Sequence, residues 1–207
     1  MKMEYFTFIQ EVLQDDLDYD RYWHSISVAF TAASLAMNYH FDSPDRAEIA
    51  GLLHDCAKCI PDEDKYAMCH EYGIFLDQVD YENPALLHAK LGAEIVADKF
   101  GVLDREIQDA IRTHTTGAPD MTMLQKIIYV ADYIEPNRDD IIMHLDQIQE
   151  LAFRDIDEAV YVISGNTLKY LESKGRTIDP ATKATHEFYK KLVEEKHAAD
   201  EAELDEI

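Results

Sequence analysis

The sequence predicts a single all-α domain, and three observations support this fold class. Glycine and proline number 7 and 6 among 207 residues, which is about half of their usual ~12% share of a protein. Apolar residues recur at intervals of three and four, and no segment alternates with the period of two that marks a half-buried strand. Hydrophobic residues make up 47% of the chain, and a domain of this size buries enough surface to fold without disulfides.

We expect one helical domain over residues 1–193 and an acidic, mobile tail over residues 194–207, because no repeat and no linker rich in Gly, Ser or Pro divides the chain. The predicted helices cover residues 4–17, 20–39, 44–61, 62–72, 84–100, 104–114, 121–134, 139–173 (one helix or a pair) and the segment from 180 onward. The second of them has apolar residues spaced three and four apart, namely Trp23, Ile26, Phe30, Ala33 and Met37.

The helix boundaries follow from residues with known preferences at helix ends. Ser43-Pro44 supplies an N-cap and a first-turn proline for the third helix, which we expect to run to about residue 61. Gly73 and Gly101 end the fourth and fifth helices, because glycine readily adopts the left-handed conformation that closes a helix. The helix over 121–134 stops before Pro136, and Asp179-Pro180 begins the last one.

The charge of the chain limits its partners. Lys plus Arg number 19 and Asp plus Glu number 42, which gives a net charge of −23. We therefore expect neither nucleic acid nor an anionic membrane as a partner. A phosphate-bearing substrate would need a local positive site, either a metal or a small Lys/Arg cluster.

The sequence carries no signal for secretion or for membrane insertion. The N-terminus lacks the apolar core of a signal peptide, and no run approaches the ~18 apolar residues of a membrane span. Three cysteines do not make a disulfide framework. These features predict a cytoplasmic protein.

The third helix carries the first candidate site. A wheel drawn at 100° per residue places His54, Asp55 and Lys58 opposite the apolar stripe, together with the small residues Gly51 and Ala47. A solvated face usually carries longer charged side chains, so this face also fits the wall of a pocket. On this helix alone the two interpretations remain equally weighted.

Titratable residues on the apolar faces of other helices favour the interpretation of this face as the wall of a pocket. His24, His88 and His114 each continue a stripe of apolar residues, and Asp132 lies beside one. Burial of an ionised Asp without a partner costs several kcal/mol, and a cation relieves that cost. Imidazole and carboxylate are ligands that suit first-row transition metals, and helical bundles build such sites from facing helices. The sequence therefore predicts a metal site in the core of the bundle.

Longer strings in the chain resemble a known family. The adjacent His54-Asp55 pair, with His24 before it and Asp132 after it, resembles the HD-domain superfamily of metal-dependent phosphohydrolases. The strings LLHDCAK, LLHAKLGAEIVADKFGV, AIRTHTTGAPDMTMLQKIIYVADYIEPNR and LESKGRTIDP are similar to the YqeK family of bacterial symmetrical diadenosine tetraphosphate hydrolases. The resemblance covers roughly residues 20 to 185. It implies an HD-domain helical bundle with a metal site in its core.

The resemblance also implies roles for individual residues. The metal ligands would be His24, His54, Asp55 and Asp132, with iron as the first choice of metal and Mn, Ni, Co or Zn as alternatives; a second metal near His88 and His114 is left open. The catalytic residues would be Asp55, Lys58, His88 and His114. The substrate would contact His24, Lys58, His88, His114, Thr115, Asp132, Arg138, Gly175, Arg176, Thr177, Ile178, Asp179 and Pro180. The family commonly has His where Asp179 stands and Gly where Asn137 stands, so the contacts of Asp179 differ from the family pattern.

The function that the resemblance implies is the hydrolysis of Ap4A and similar dinucleoside polyphosphates to two ADP, with metal-activated water as the nucleophile. Two alternatives remain open. One is an HD phosphohydrolase that acts on another nucleotide (a monophosphate, a triphosphate or ppGpp), and the other is a nucleotide-sensing module without turnover. We expect a small-molecule nucleotide as the ligand and allow for a homodimer.

Overall fold

The computed structural model describes residues 3–138 and 144–205. Within these ranges the chain forms α-helices and no strand, so the all-α prediction is confirmed. The helices are α1 (Met3–Asp16), α2 (Tyr19–Asn38), α3 (Pro44–Leu53), α4 (Asp62–Glu71), α5 (Gln78–Glu82), α6 (Leu87–Phe100), α7 (Arg105–Thr113), α8 (Met123–Ile134), α9 (Leu145–Arg154), α10 (Ile156–Ser173) and α11 (Pro180–Asp205). Short 3-10 turns lie at Pro84–Leu86 and Pro136–Arg138.

The core lies where α2, α3, α7 and α8 pack together, with α6 against α7, α10 against α8 and α11 against α10. Side-chain caps fix the starts of several of these helices. Asp18 accepts a hydrogen bond from the backbone N–H of Arg21 at the start of α2, and Asp104 caps α7 in the same way. Thr122 and Gln125 form a reciprocal capping box at the start of α8. No helix among the described residues is long and apolar enough to cross a membrane.

The backbones of α2 and α3 approach each other closely at Gly51. A Cβ atom added to Gly51 would lie 2.9 Å from Ala29 Cα and 3.0 Å from the Val28 carbonyl oxygen. Glycine therefore lets the two backbones approach, and Gly51 serves helix packing instead of opening a pocket wall. Because of this close approach, the C-terminal end of α3 lies against the middle of α2.

The third helix is shorter than the sequence predicts. It ends at Leu53, and the next residues form successive turns in which Cys56 N–H donates to the Leu53 carbonyl and Lys58 N–H to the Asp55 carbonyl. These hydrogen bonds connect residues three apart, so the chain no longer turns by 100° per residue. The side-chain directions that the helical wheel predicts are therefore wrong beyond Leu53. As a result, His54 and Asp55 are both buried, together with the apolar residues that the wheel places opposite them.

The second helix turns a different face to the core than its apolar spacing indicates. Three members of the predicted stripe, Trp23, Phe30 and Met37, are about half exposed, although Ile26 is buried. The fully buried face instead carries small and aliphatic residues such as Val28 and Ala32, in register with His24. A wheel identifies an apolar face, but only packing against α3 and α8 decides which face is buried.

Three further observations concern the remaining helices. The structure adds α5, which an Asp77–Asp80 capping box stabilises, and precedes α6 with the Pro84–Leu86 turn. The predicted segment 139–173 is a helix pair, α9 and α10, joined at Asp155; residues 139–143 lie outside the described residues. The last helix continues to Asp205 and so covers most of the segment predicted as an acidic tail.

Candidate metal centre

Six titratable side chains from five parts of the chain meet in the core, and we call them the His–Asp cluster: His24, His54, Asp55, His88, His114 and Asp132. They come from α2, the turn after α3, α6, the residue that follows α7, and α8. All are buried except Asp132, whose side chain is 23% exposed. The helices that hold or precede these residues (α2, α3, α6, α7 and α8) also build the hydrophobic core, so the packing of the core brings the cluster together.

Each imidazole of the cluster is oriented by a bond from its Nδ1 atom. His54 Nδ1 lies 2.6 Å from the Gly51 carbonyl oxygen, and His114 Nδ1 lies 2.7 Å from that of Ile111. His88 Nδ1 bonds the Ala85 carbonyl, and His24 Nδ1 lies 3.0 Å from a carboxylate oxygen of Glu135. Because a carbonyl or carboxylate oxygen only accepts, Nδ1 carries the proton, which leaves the Nε2 lone pair free as a ligand.

Asp55 lies at the middle of the cluster and divides it into two halves. Its Oδ2 atom is 3.4 Å from His54 Nε2 and 3.9 Å from His24 Nε2. Its Oδ1 atom is 3.1 Å from His88 Nε2 and 3.5 Å from His114 Nε2. Both oxygens of Asp55 therefore face imidazole nitrogens, and a cation on either side would find a carboxylate oxygen beside them.

The carboxylates of the cluster are ionised. Burial raises the pKa of Asp55, but the imidazole of His54 and the imidazoles beside its other oxygen hold that pKa well below the usual value. Burial likewise opposes ionisation of Asp132, and the guanidinium of Arg138 outweighs it, so the pKa of Asp132 is also well below its usual value. Both groups therefore carry negative charge inside the protein.

The imidazoles differ in their tendency to bind protons. Burial lowers the pKa of His54, and it lowers the pKa of His88 to about 4, although Asp55 opposes both shifts. Burial also acts on His24, but the neighbouring carboxylates of Asp132 and Glu135 outweigh it and raise the pKa of His24. His54 and His88 are thus neutral near pH 7, the form in which histidine binds a metal.

The donor atoms of the cluster fit a metal ion. Three of them, His24 Nε2, His54 Nε2 and Asp55 Oδ1, are buried and have no hydrogen-bond partner. His24 Nε2 lies 3.0 Å from Asp132 Oδ1, a short contact without hydrogen-bond geometry. Two groups of ligand atoms each lie within 4.8 Å of one another: His24, His54 and Asp132, and His54, Asp55 and His114. Buried lone pairs without donors are costly unless a cation takes them.

Three cationic side chains border the cluster. Lys58 Nζ lies 3.2 Å from His88 Nε2 and 3.8 Å from Asp55 Oδ1. Arg138 Nη2 lies 2.7 Å from Asp132 Oδ1, and Arg21 Nη1 lies 2.7 Å from Asp55 Oδ2. Two of these cations are paired with cluster carboxylates, and all three are the groups here that can contact phosphate oxygens.

Two grooves lie beside the cluster. The first, of about 590 Å³, includes Thr115 and Asp179 in its lining, with Phe75, Leu86, Lys90 and Arg112. Thr115 Oγ1 connects it to the cluster, since it lies 3.1 Å from His114 Nε2 and 3.4 Å from His88 Nε2. The second, of about 970 Å³, includes Tyr19, Arg21, Trp23, His24, Asn137 and Arg138 in its lining. The grooves thus adjoin opposite members of the cluster, His88 and His114 in one case and His24 in the other.

The structure brings the four predicted metal ligands together, and it places Lys58, His88, His114, Thr115 and Arg138 around them. The predicted closing segment, residues 175–180, reaches the first groove through Asp179. Its Thr177 hydroxyl donates to Glu82 at 2.9 Å, and Gly175, Arg176, Thr177 and Pro180 are exposed. The roles of all these residues stay predictions.

Two residues of the site, Glu135 and Arg21, were not predicted from the sequence. Glu135 accepts a hydrogen bond from His24 Nδ1 and one from the backbone N–H of Asn137, at 2.8 Å. Arg21 pairs with Asp55 across the α2–α3 contact. Glu135 follows Ile134 at the end of α8, one turn from Asp132, and this spacing is the signal that could have indicated it.

A family model places this architecture in a known class. The HD domain model matches residues 21–137, a stretch that contains all six residues of the His–Asp cluster. Fold and site together define an HD domain, a fold that binds divalent metals.

Comparison with individual proteins shows which members of the HD domain family this chain is similar to. The chain is 40% identical over 174 residues to the symmetrical bis(5'-nucleosyl)-tetraphosphatase of Bacillus subtilis (strain 168), covering 84% of this chain and 91% of that protein. It is 36% identical over 178 residues to the protein of the same description from Halalkalibacterium halodurans, covering 85% and 92%. A crystal structure of a predicted HD superfamily hydrolase involved in NAD metabolism, from Clostridium acetobutylicum, superposes with a TM-score of 0.86 at 35% identity and covers 90% of this chain and 97% of that one. The chain therefore belongs to the HD domain family and, within it, to the family that these relatives form.

Proposed function

We propose that this chain is a metal-dependent phosphohydrolase that cleaves diadenosine tetraphosphate and similar dinucleoside polyphosphates symmetrically, so that diadenosine tetraphosphate gives two ADP. One observation carries the proposal: imidazole Nε2 lone pairs and two ionised carboxylates converge in a buried cluster that Lys58, Arg21 and Arg138 border. The identity to proteins described as symmetrical tetraphosphatases, over most of both chains, supports the substrate class.

The metal ligands we assign are His24, His54, Asp55 and Asp132. Iron is our first choice, and Mn, Ni, Co and Zn remain alternatives because imidazole and carboxylate suit them all. A bound metal would lower the pKa of a coordinated water and polarise a phosphoryl oxygen. If a second metal binds, His88, His114 and Asp55 Oδ1 would hold it.

The remaining residues act on the phosphate chain. Lys58 neutralises charge that builds up on phosphate oxygens as the central anhydride bond breaks. Arg138 binds phosphate through its fork of donors, and the Thr115 hydroxyl can donate to an oxygen near His114. His88 and His114 present Nε2 lone pairs that can accept a proton from the attacking water or hold the second metal.

One nucleoside of the substrate belongs in the first groove. Its lining combines the apolar surface of Phe75 and Leu86 with the cations Lys90 and Arg112. The segment of residues 175–180 borders this groove through Asp179 and is expected to close against the nucleotide. The cytoplasmic location and the homodimer stay predictions.

Product analysis of the metal-loaded protein tests the proposal. The protein is incubated with diadenosine tetraphosphate, and the products are separated by ion-exchange chromatography, with His54→Ala as the inactive control. Formation of ADP alone supports the proposal, whereas ATP with AMP would contradict symmetrical cleavage. Binding without turnover would favour a sensing module, and faster turnover of a nucleoside monophosphate, a triphosphate or ppGpp would identify a different HD phosphohydrolase.

A further inference from the structure

The second groove contains an aromatic surface that the core does not use. Trp23 is 49% exposed and Tyr19 is 76% exposed, and their ring centroids lie 6.3 Å apart in an edge-to-face arrangement. Tyr22, which is buried, packs edge-to-face against the indole at 5.5 Å and supports the orientation of Trp23. An indole that is held in place with much of its surface exposed is suited to stacking against a flat heterocycle.

Positive charge lies at the end of the groove that meets the His–Asp cluster. Arg21 and Arg138 line the groove, and each pairs with a carboxylate of the cluster at 2.7 Å. Their guanidiniums can bind phosphate oxygens, whereas Asp18 and Asp20, which also line the groove, can accept hydrogen bonds from sugar hydroxyls or an exocyclic amine. The groove therefore offers sites for phosphate, sugar and base.

A symmetrical substrate requires two nucleoside sites, and the first groove supplies one. We propose that the second groove is the other nucleoside site, with the base stacked on Trp23 and Tyr19 and the adjoining phosphates held by Arg21 and Arg138. This inference rests on the proposed function, because it assigns the half of the dinucleotide that the first groove leaves unplaced. Its volume of about 970 Å³ is ample for one nucleoside.

The same aromatic residues allow a rival explanation. Trp23 lies on one face of α2 with Phe30 and Met37, at intervals of seven residues, and all three are about half exposed. Such a stripe could pair with a second copy of the chain. Only Trp23 of the three lines the groove, so Phe30 provides a matched control that separates the two explanations.

Trp23 is the single tryptophan of the chain, so intrinsic fluorescence reports directly on this groove. The metal-loaded protein is titrated with a diadenosine tetraphosphate analogue that has a methylene group in place of the central bridging oxygen. A stacked base should quench the emission in a saturable manner. Inorganic tripolyphosphate, which brings phosphates without a base, should compete with substrate but leave the emission within ~10% of its starting value.

Kinetics with matched variants completes the test. Trp23→Ala should raise KM for diadenosine tetraphosphate about tenfold and Trp23→Phe only about twofold, with unchanged inhibition by tripolyphosphate. Phe30→Ala should leave KM unchanged, and circular dichroism should confirm that all variants fold.

Each remaining outcome contradicts the proposal. Turnover by the wild type with an unresponsive Trp23 emission and an unchanged KM in Trp23→Ala overturns the nucleoside site alone. Equal effects of Trp23→Ala and Phe30→Ala, accompanied by a change in molecular mass in solution, assign the surface to a second copy instead. Absence of turnover by the folded, metal-loaded wild type overturns the proposed function and this site with it.

Discussion

Replacing Glu135 with Gln tests whether this residue orients a metal ligand. The Glu135 carboxylate uses one oxygen to accept from His24 Nδ1 at 3.0 Å and the other to accept from the backbone N–H of Asn137 at 2.8 Å. Glutamine has nearly the same shape but only one acceptor oxygen, so one of the two N–H groups must face an NH₂ group. Because Glu135 is 2% exposed, water cannot replace the lost acceptor, and an unsatisfied donor costs about 1–3 kcal/mol.

We expect the dissociation constant for metal to rise about 10- to 100-fold in Glu135→Gln, as is typical when the partner of a metal-bound histidine is changed. This corresponds to about 1.4–2.7 kcal/mol. Competition with a chelator of known affinity measures the constant, and thermal unfolding checks the fold. Glu158→Gln removes the same charge from α10, beside Arg154, and should bind metal as the wild type does. Wild-type affinity in Glu135→Gln would refute the role of Glu135.

Three further predictions separate ligands, phosphate-binding residues and packing. His54→Ala should lose metal and activity and keep its helical content, checked by elemental analysis and circular dichroism. Lys58→Ala should keep its metal and lose about 10²-fold in kcat, and Arg138→Ala should behave similarly with a larger rise in KM; loss of metal in Lys58→Ala would contradict its assignment to phosphate. Gly51→Ala should lower the free energy of unfolding by about 1–3 kcal/mol, because its Cβ would lie 2.9 Å from the backbone of α2. Gly92→Ala, whose Cβ meets ordinary contacts from 3.4 Å outward, should change stability by less than ~1 kcal/mol, and equal losses in urea unfolding would contradict this contrast.

Local signals in the sequence predicted most of the helices. Helix formation and helix capping depend on residues that are close together in the sequence. The observed ranges of α1, α2, α4 and α8 are therefore close to the predicted ranges. The end of α3 depends on longer-range packing. No glycine or proline follows Leu53 before residue 61, and the change to successive turns is associated with the burial of His54 and Asp55 in the cluster.

The sequence predicted those residues of the candidate site that lie on apolar helix faces. His24 and His88 share faces with buried residues of α2 and α6, and His114 follows the buried stripe of α7, so their burial follows from the same pattern as the core. Arg21 and Glu135 are different. Arg21 reaches Asp55 across 34 positions of the chain and Glu135 reaches His24 across 111, and only the relative placement of the helices brings such partners together.

The exposed stripe of α2 shows a further limit of sequence patterns. Trp23, Phe30 and Met37 have the spacing of a buried face, yet the close approach of Gly51 to Ala29 turns the small residues of α2 inward. Large apolar side chains do not fit such a narrow contact, so they remain on the outer face. Periodicity therefore predicts the helix, and the size of the residues decides which face is buried.

Hydrolysis in ¹⁸O-labelled water tests the central claim most directly. Attack of water on the central anhydride of diadenosine tetraphosphate gives two ADP molecules, of which one receives the oxygen of water and the other keeps the bridging oxygen. Mass spectrometry of the products of the metal-loaded enzyme should therefore show ADP alone, with a single ¹⁸O in the terminal phosphate of about half of the molecules. Labelled AMP or ATP among the products would contradict symmetrical cleavage at this site, as would ADP without label.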